Sequence, residues 1–201
     1  MPVISVSVDN TVIASISTQG YDLVTVRAGG SATDAAFMTL DVTASKHLKA
    51  DEEGESIYHI FVSELTLQPG QQMKLAMLEH GENSHRGKTI KELFPDAETV
   101  PKDFDFSLTA EDLKRLHEKP RNREQYTFSI VSSSGVKIVG DTAPEMYCLS
   151  LSAVWNGWSP ESTRVSLYSR TFDDLARQEV RNNHFQERIS AGDFILFKAS
   201  A

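Results

Sequence analysis

Both tryptophans of the chain fall in one short stretch, Ala153-Val154-Trp155-Asn156-Gly157-Trp158-Ser159-Pro160. Asn156-Gly157 is a turn pair, so the two indoles flank the centre of a tight turn. A flat apolar ring with a polar edge suits an anchor in a protein interface or a platform under a sugar ring. The bland alternative is cross-strand packing, with one or both rings tucked inward. Alternation through Tyr147, Leu149, Leu151, Ala153 and Trp155 puts Trp155 on the leucine face, hence inward. Trp158 lies beyond the turn and just before Pro160, where few ladder hydrogen bonds hold it in. Trp155, Trp158 and Asn156 are therefore the candidate residues for partner or ligand binding, and exposure is expected of Trp158.

Other residue types that could do chemistry are weaker. Gly81-Glu82-Asn83-Ser84-His85-Arg86-Gly87-Lys88-Thr89 has the outline of a phosphate loop, but five residues separate Gly81 from the Gly-Lys-Thr where four are needed, and Glu82 would repel a phosphate. His80 and His85, with Glu79, Glu82 and the more distant His117, have ligand chemistry but neither cysteine support nor the helical pairing of a zinc protease, so no metal is expected. His47, His59 and His184 have no nucleophile beside them in sequence, and no serine stands in a nucleophile elbow. Cys148, the single cysteine, alternates with apolar residues and reads as a small strand residue without a nearby cation to activate it. Lys114, Arg115, Lys119, Arg121 and Arg123 form the one basic cluster; Glu111, Asp112, Glu118 and Glu124 interrupt or flank it, as at a solvated helix end. No cofactor is expected. Dispersed carboxylates could still assemble an acid and base pair without a linear trace.

Charge narrows the partner classes. The 201 residues carry 28 Asp and Glu against 20 Lys and Arg, a formal net charge of −8. Up to Glu79 there are ten acidic residues against four basic ones, so most of the excess lies in the first part of the chain. Such a surface argues against nucleic acid and anionic membrane and favours a basic protein partner. No apolar run is long enough to span a bilayer. The first twenty residues alternate as a strand does, unlike a signal peptide, and one cysteine fits a reducing compartment, so a cytoplasmic protein is expected.

The elements that must hold the tryptophan turn are strands. Alternation marks a hairpin from Ile4 to Ile16 about Asp9-Asn10, then strands at Leu23–Arg27, Phe37–Val42, Ile57–Val62, Leu65–Leu67 and Met73–Leu78. The order repeats from Tyr126: Phe128–Val131, the turn Ser133-Ser134-Gly135, Val136–Val139, then Leu149–Leu151 opposite Val24–Val26, Val165–Leu167 opposite Met38–Leu40, and Ile189–Gly192 opposite Leu67–Gly70. Between the copies, Thr89-Ile90-Lys91-Glu92 and Thr109-Ala110-Glu111-Asp112 read as capping boxes of short helices, the second stapled by Leu108 on Leu113 and stopped by Pro120. A further helix is expected from Thr171, over Phe172, Leu175 and Val180.

The expected fold class is mainly β: two tandem antiparallel sandwich or barrel-like domains, residues 1–79 and 125–201, related by internal duplication and joined by a helical connector, residues 80–124, that packs on at least one of them. The expected function is a non-catalytic, acidic binding protein, in its specific form an immunity or inhibitor protein that neutralises a basic enzyme. The alternatives are a carbohydrate-binding module or hydrolase built on Trp155 and Trp158, and a self-assembling homo-oligomeric component that uses exposed strand edges.

Overall fold

The computed structural model describes residues 1–47, 56–96, 109–177 and 182–201. In the first copy the strands are β1 (Val3–Val8), β2 (Thr11–Ser17), β3 (Leu23–Ser31), β4 (Met38–Lys46), β5 (Ile57–Leu67) and β6 (Gln72–Leu78). The connector holds α1 (Ile90–Leu93) and α2 (Ala110–Glu118). The second copy holds β7 (Thr127–Ser132), β8 (Lys137–Asp141), β9 (Cys148–Asn156), β10 (Ser162–Arg170), α3 (Phe172–Arg177), β11 (Asn182–Ser190) and β12 (Phe194–Ser200).

The chain is mainly β, with two six-stranded antiparallel sheets ordered β2-β1-β6-β12-β7-β8 and β11-β10-β9-β3-β4-β5. Each copy supplies three adjacent strands to each sheet, so each is a small sandwich-like unit. The units abut through β6 against β12 in one sheet and β3 against β9 in the other. Alternating side chains from both sheets, among them Val6, Ile16, Val26, Leu40, Leu75, Ile130, Leu151, Leu167 and Phe197, meet in one buried cluster.

Both strand orders read the same from either end once β1–β6 are matched to β7–β12, which is the mark of a two-fold relation between the copies. Hydrogen bonds fix the register. The Gly70 amide donates to the Ala199 carbonyl and the Gly192 amide to the Met77 carbonyl, both at distances of 2.7–2.8 Å. Likewise Asp22 donates to Ser45 as Tyr147 donates to Arg170, and Ala32 donates to Tyr147 as Gly157 donates to Asp22. The pseudo-dyad thus passes through the facing pairs Arg27 with Ser152 and Lys74 with Leu196. Gly70 and Gly192 occupy equivalent turns, with φ of +83° and +95°.

One part of the expected alignment is corrected. Val26 pairs with Val42, and its counterpart Leu151 pairs with Leu167, so Val165 answers Leu40 and not Met38. A slip of two residues preserves the inward face, so alternation alone could not detect it. The strands expected at Ile57–Val62 and Leu65–Leu67 are one strand, β5, whose pairing with β4 shifts register near Glu64, a residue at φ +51°.

Thr89 and Thr109 cap α1 and α2 by reciprocal bonds with Glu92 and Asp112, and α2 ends before Pro120. Leu108 and Val180, and the acidic stretch Asp51–Glu55, lie outside the described residues. The connector packs on both units. Asn83 and Ser84 bond to β2, Lys88 bridges to Ile60 on β5, and α2 meets α3 through His117 against the Phe172 ring.

Candidate functional site

The β9–β10 turn separates the two indoles as strand alternation requires. Trp155 is 2% exposed, and its Nε1–H donates to the Pro160 carbonyl at 3.0 Å. Trp158 is 93% exposed at the tip. The Asn156 side-chain oxygen accepts the amides of Trp158 and Ser159 at 3.1 and 3.0 Å, and the Gly157 amide donates to the Asp22 carbonyl at 2.8 Å. The turn is therefore tied to itself and to the first unit, with an apolar ring held out in water. The platform of two indoles is corrected: Trp155 belongs to the core. The oxygen of Asn156 is occupied in shaping the turn.

The position related to Trp158 by the pseudo-dyad is Thr33, which lies in the β3–β4 loop under the connector. The Asn122 side-chain amide donates to its carbonyl at 2.9 Å. That loop is held by Arg123, whose guanidinium donates to the Ser31 carbonyl, to the carbonyls of Asp34 and Ala36 at 2.9 and 3.1 Å, and to the Tyr126 hydroxyl at 3.2 Å. Arg121 donates to the Met146 carbonyl at 2.7 Å. Lys114 and Arg115 form ion pairs with Glu118 and Glu111. Two members of the basic cluster are thus struts for loops. Sequence carries no signal of this, because the acceptors are backbone carbonyls about ninety positions away for Arg123 and 25 for Arg121.

The remaining candidates do not assemble a centre. Among the described residues no group of three or more His, Cys, Asp or Glu could hold a metal ion. His85 sits between the Ser84 hydroxyl and the Phe61 carbonyl, each at 2.9 Å, and His117 faces Asp173 on α3. His184 has no nucleophile beside it in sequence, but the fold brings the Ser169 hydroxyl, fifteen positions away, to 2.9 Å from its Nε2. Ser169 is wholly buried, so its hydroxyl is closed to solvent, and partial burial pushes His184 below its usual range. Burial pushes the Cys148 thiol up, against a smaller pull from the Arg170 amide, Arg27 and Arg170.

A second feature, which sequence reading did not single out, is a cavity of about 320 Å³ on the outer face of the β3–β9 junction. It is lined by side chains of both units, among them Arg27, Ser150 and Arg170. Its residues are scattered along the chain at ordinary outward positions, so only the ladder register brings them together. Comparison with known proteins gives no match to a family model, a curated protein or a solved structure.

Proposed function

We propose that the protein is a non-catalytic binding protein that anchors a basic macromolecular partner on Trp158. The observation that carries this reading is the exposure of Trp158, 93%, on a turn whose amides donate to the Asn156 side chain and the Asp22 carbonyl. A preformed indole loses little conformational freedom on binding and attracts cationic side chains to its face. Glu161 lies in the same turn and Asp22 meets it from the first unit through its carbonyl, and both add to the acidic excess that would steer a basic protein. An immunity or inhibitor role against a basic enzyme is the specific form of this reading. Its setting is a reducing compartment, on the ground of the single cysteine. No helix among the described residues is long and apolar enough to cross a membrane.

The test is co-purification from the native host with the full chain and its Trp158→Ala variant. A basic protein retained by the first and lost by the second, at unchanged melting temperature, is the expected result. Retention on a glycan array would favour a carbohydrate module instead, and large homomers in light scattering would favour self-assembly through the sheet edges.

A further inference from the structure

The cavity at the β3–β9 junction is independent of the Trp158 turn and is built from the ladder. Gly29 pairs with Thr39 on one side and Ser150 on the other, and Ser150 pairs in turn with Tyr168. Cys148 and Arg170 form part of one flanking row, Asp41 and Arg27 part of the other. Gly29 leaves its floor open, because a methyl group there would stand 3.3 Å from the Ser150 hydroxyl and 3.6 Å from Arg27 Nε. Across the pseudo-dyad the pair Gly29 with Ser150 becomes Val154 with Thr25, and Arg170 becomes Ser45. The related position on the other side therefore carries the Val154 side chain where Gly29 has none. The cavity walls include Asp34 and Tyr147, on the two loops that Arg123 and Arg121 hold in place.

Two residues that line this cavity each carry a buried polar atom without a partner. Among the described residues the buried side-chain atoms without a hydrogen bond are Ser150 Oγ, Arg170 Nε and Glu187 Oε2, and the first two belong to residues that line it. Ser150 is 1% exposed, so bulk water does not satisfy it. A buried donor left unpaired is costly, and a ligand that brings acceptors recovers that cost on binding. The guanidiniums of Arg27 and Arg170 are balanced by the carboxylates of Asp34 and Asp41, and Asp41 already accepts the Glu64 amide at 2.9 Å. Against a lining with no net formal charge, a single negative charge on planar oxygens fits the Arg fork, whereas a dianion would face both carboxylates. We propose that this cavity binds a small molecule through a carboxylate, held by Arg170 Nε and the Ser150 hydroxyl, with Arg27 supplying the second positive charge.

The test follows the Arg170 Nε–H resonance of the ¹⁵N-labelled full chain, assigned by its loss in Arg170→Lys, during titration with acetate, lactate and glycine. Sodium chloride at matched ionic strength and inorganic phosphate are run alongside. A saturable shift with at least one carboxylate and not with chloride is expected. Ser150→Ala should keep or raise the melting temperature, since it removes an unpartnered hydroxyl, while weakening binding about tenfold. Gly29→Val, which copies the side chain across the dyad, should abolish binding. The proposal is overturned by no saturable shift with any of the three carboxylates, by a response to phosphate alone, or by a titration that Ser150→Ala leaves unchanged.

Discussion

At the scale of single residues, three positions show how surroundings set a side chain's fate, and two of them lie in one turn. Trp155 fills the core and Trp158 stands in water, although both are indoles of one turn. Trp158→Ala should leave the denaturation midpoint within about 0.5 kcal/mol of the parent, as exposed substitutions do, and weaken partner binding by about 2 kcal/mol. It should also leave a single blue-shifted emission that acrylamide quenches poorly, because only the buried indole remains. Trp155→Ala should cost about 3–5 kcal/mol, the scale of a large buried ring, and a red-shifted spectrum from Trp158 would report it. A melting temperature that falls with Trp158→Ala at unchanged affinity would make that ring structural. Arg123 is the third case: its guanidinium spans several carbonyls and lies 5.6 Å over the Phe37 ring. Arg123→Lys should lose about 2 kcal/mol in urea denaturation, since one ammonium cannot reproduce the fork.

At the scale of elements, the turns show which features the residues announce and which they conceal. Asp9-Asn10 was legible as a tight turn because both residues tolerate the left-handed region, and they adopt φ of +48° and +67°. The capping boxes of Thr89 and Thr109 were equally legible, as a donor and an acceptor at fixed spacing. What stayed hidden is an exchange of roles between the copies. In the first unit Asp9 accepts from the Gln72 amide and the Gln71 side chain at 3.0 and 2.8 Å. In the second the acid sits on the other turn, where Asp193 accepts from the Ser190 amide and the Ser133 hydroxyl at 2.9 and 2.8 Å. The tie is kept while the residues that make it change places, so residue identity between the copies is lost at these turns although the bonding persists. These bonds hold both carboxyls below their usual range. A carboxyl lowered in the folded state adds stability that is present above its unfolded pKa, about 4, and is lost as pH falls through the lower folded value. Resistance to urea should therefore fall from about pH 5 downward, and Asp9→Asn and Asp193→Asn should each flatten that dependence. Gly70→Ala and Gly192→Ala should cost alike, about 1 kcal/mol each, because both enforce the left-handed region with open space around the new methyl or only the end of Lys198 near it.

At the scale of the whole molecule, strand alternation and the repeated order were enough to reach a mainly β chain of two related sandwich-like units. The joining of those units was not legible, because the β6–β12 and β3–β9 ladders pair strands whose own patterns are satisfied by any antiparallel neighbour. The pseudo-dyad then gives a way to look for function. Trp158 against Thr33 and Gly29 against Val154 are places where related positions differ in what they offer a ligand. We take the shared sheets and core as the frame on which both are held. The direct measurement is limited proteolysis followed by size exclusion without denaturant. Cleavage is expected first between His80 and Glu124, a stretch rich in prolines and charges whose described residues belong to neither sheet. The fragments should nonetheless elute together at the volume of the intact chain and part only in denaturant, since two ladders and one core join them. Fragments that separate on nicking and remain folded by circular dichroism would contradict a shared core.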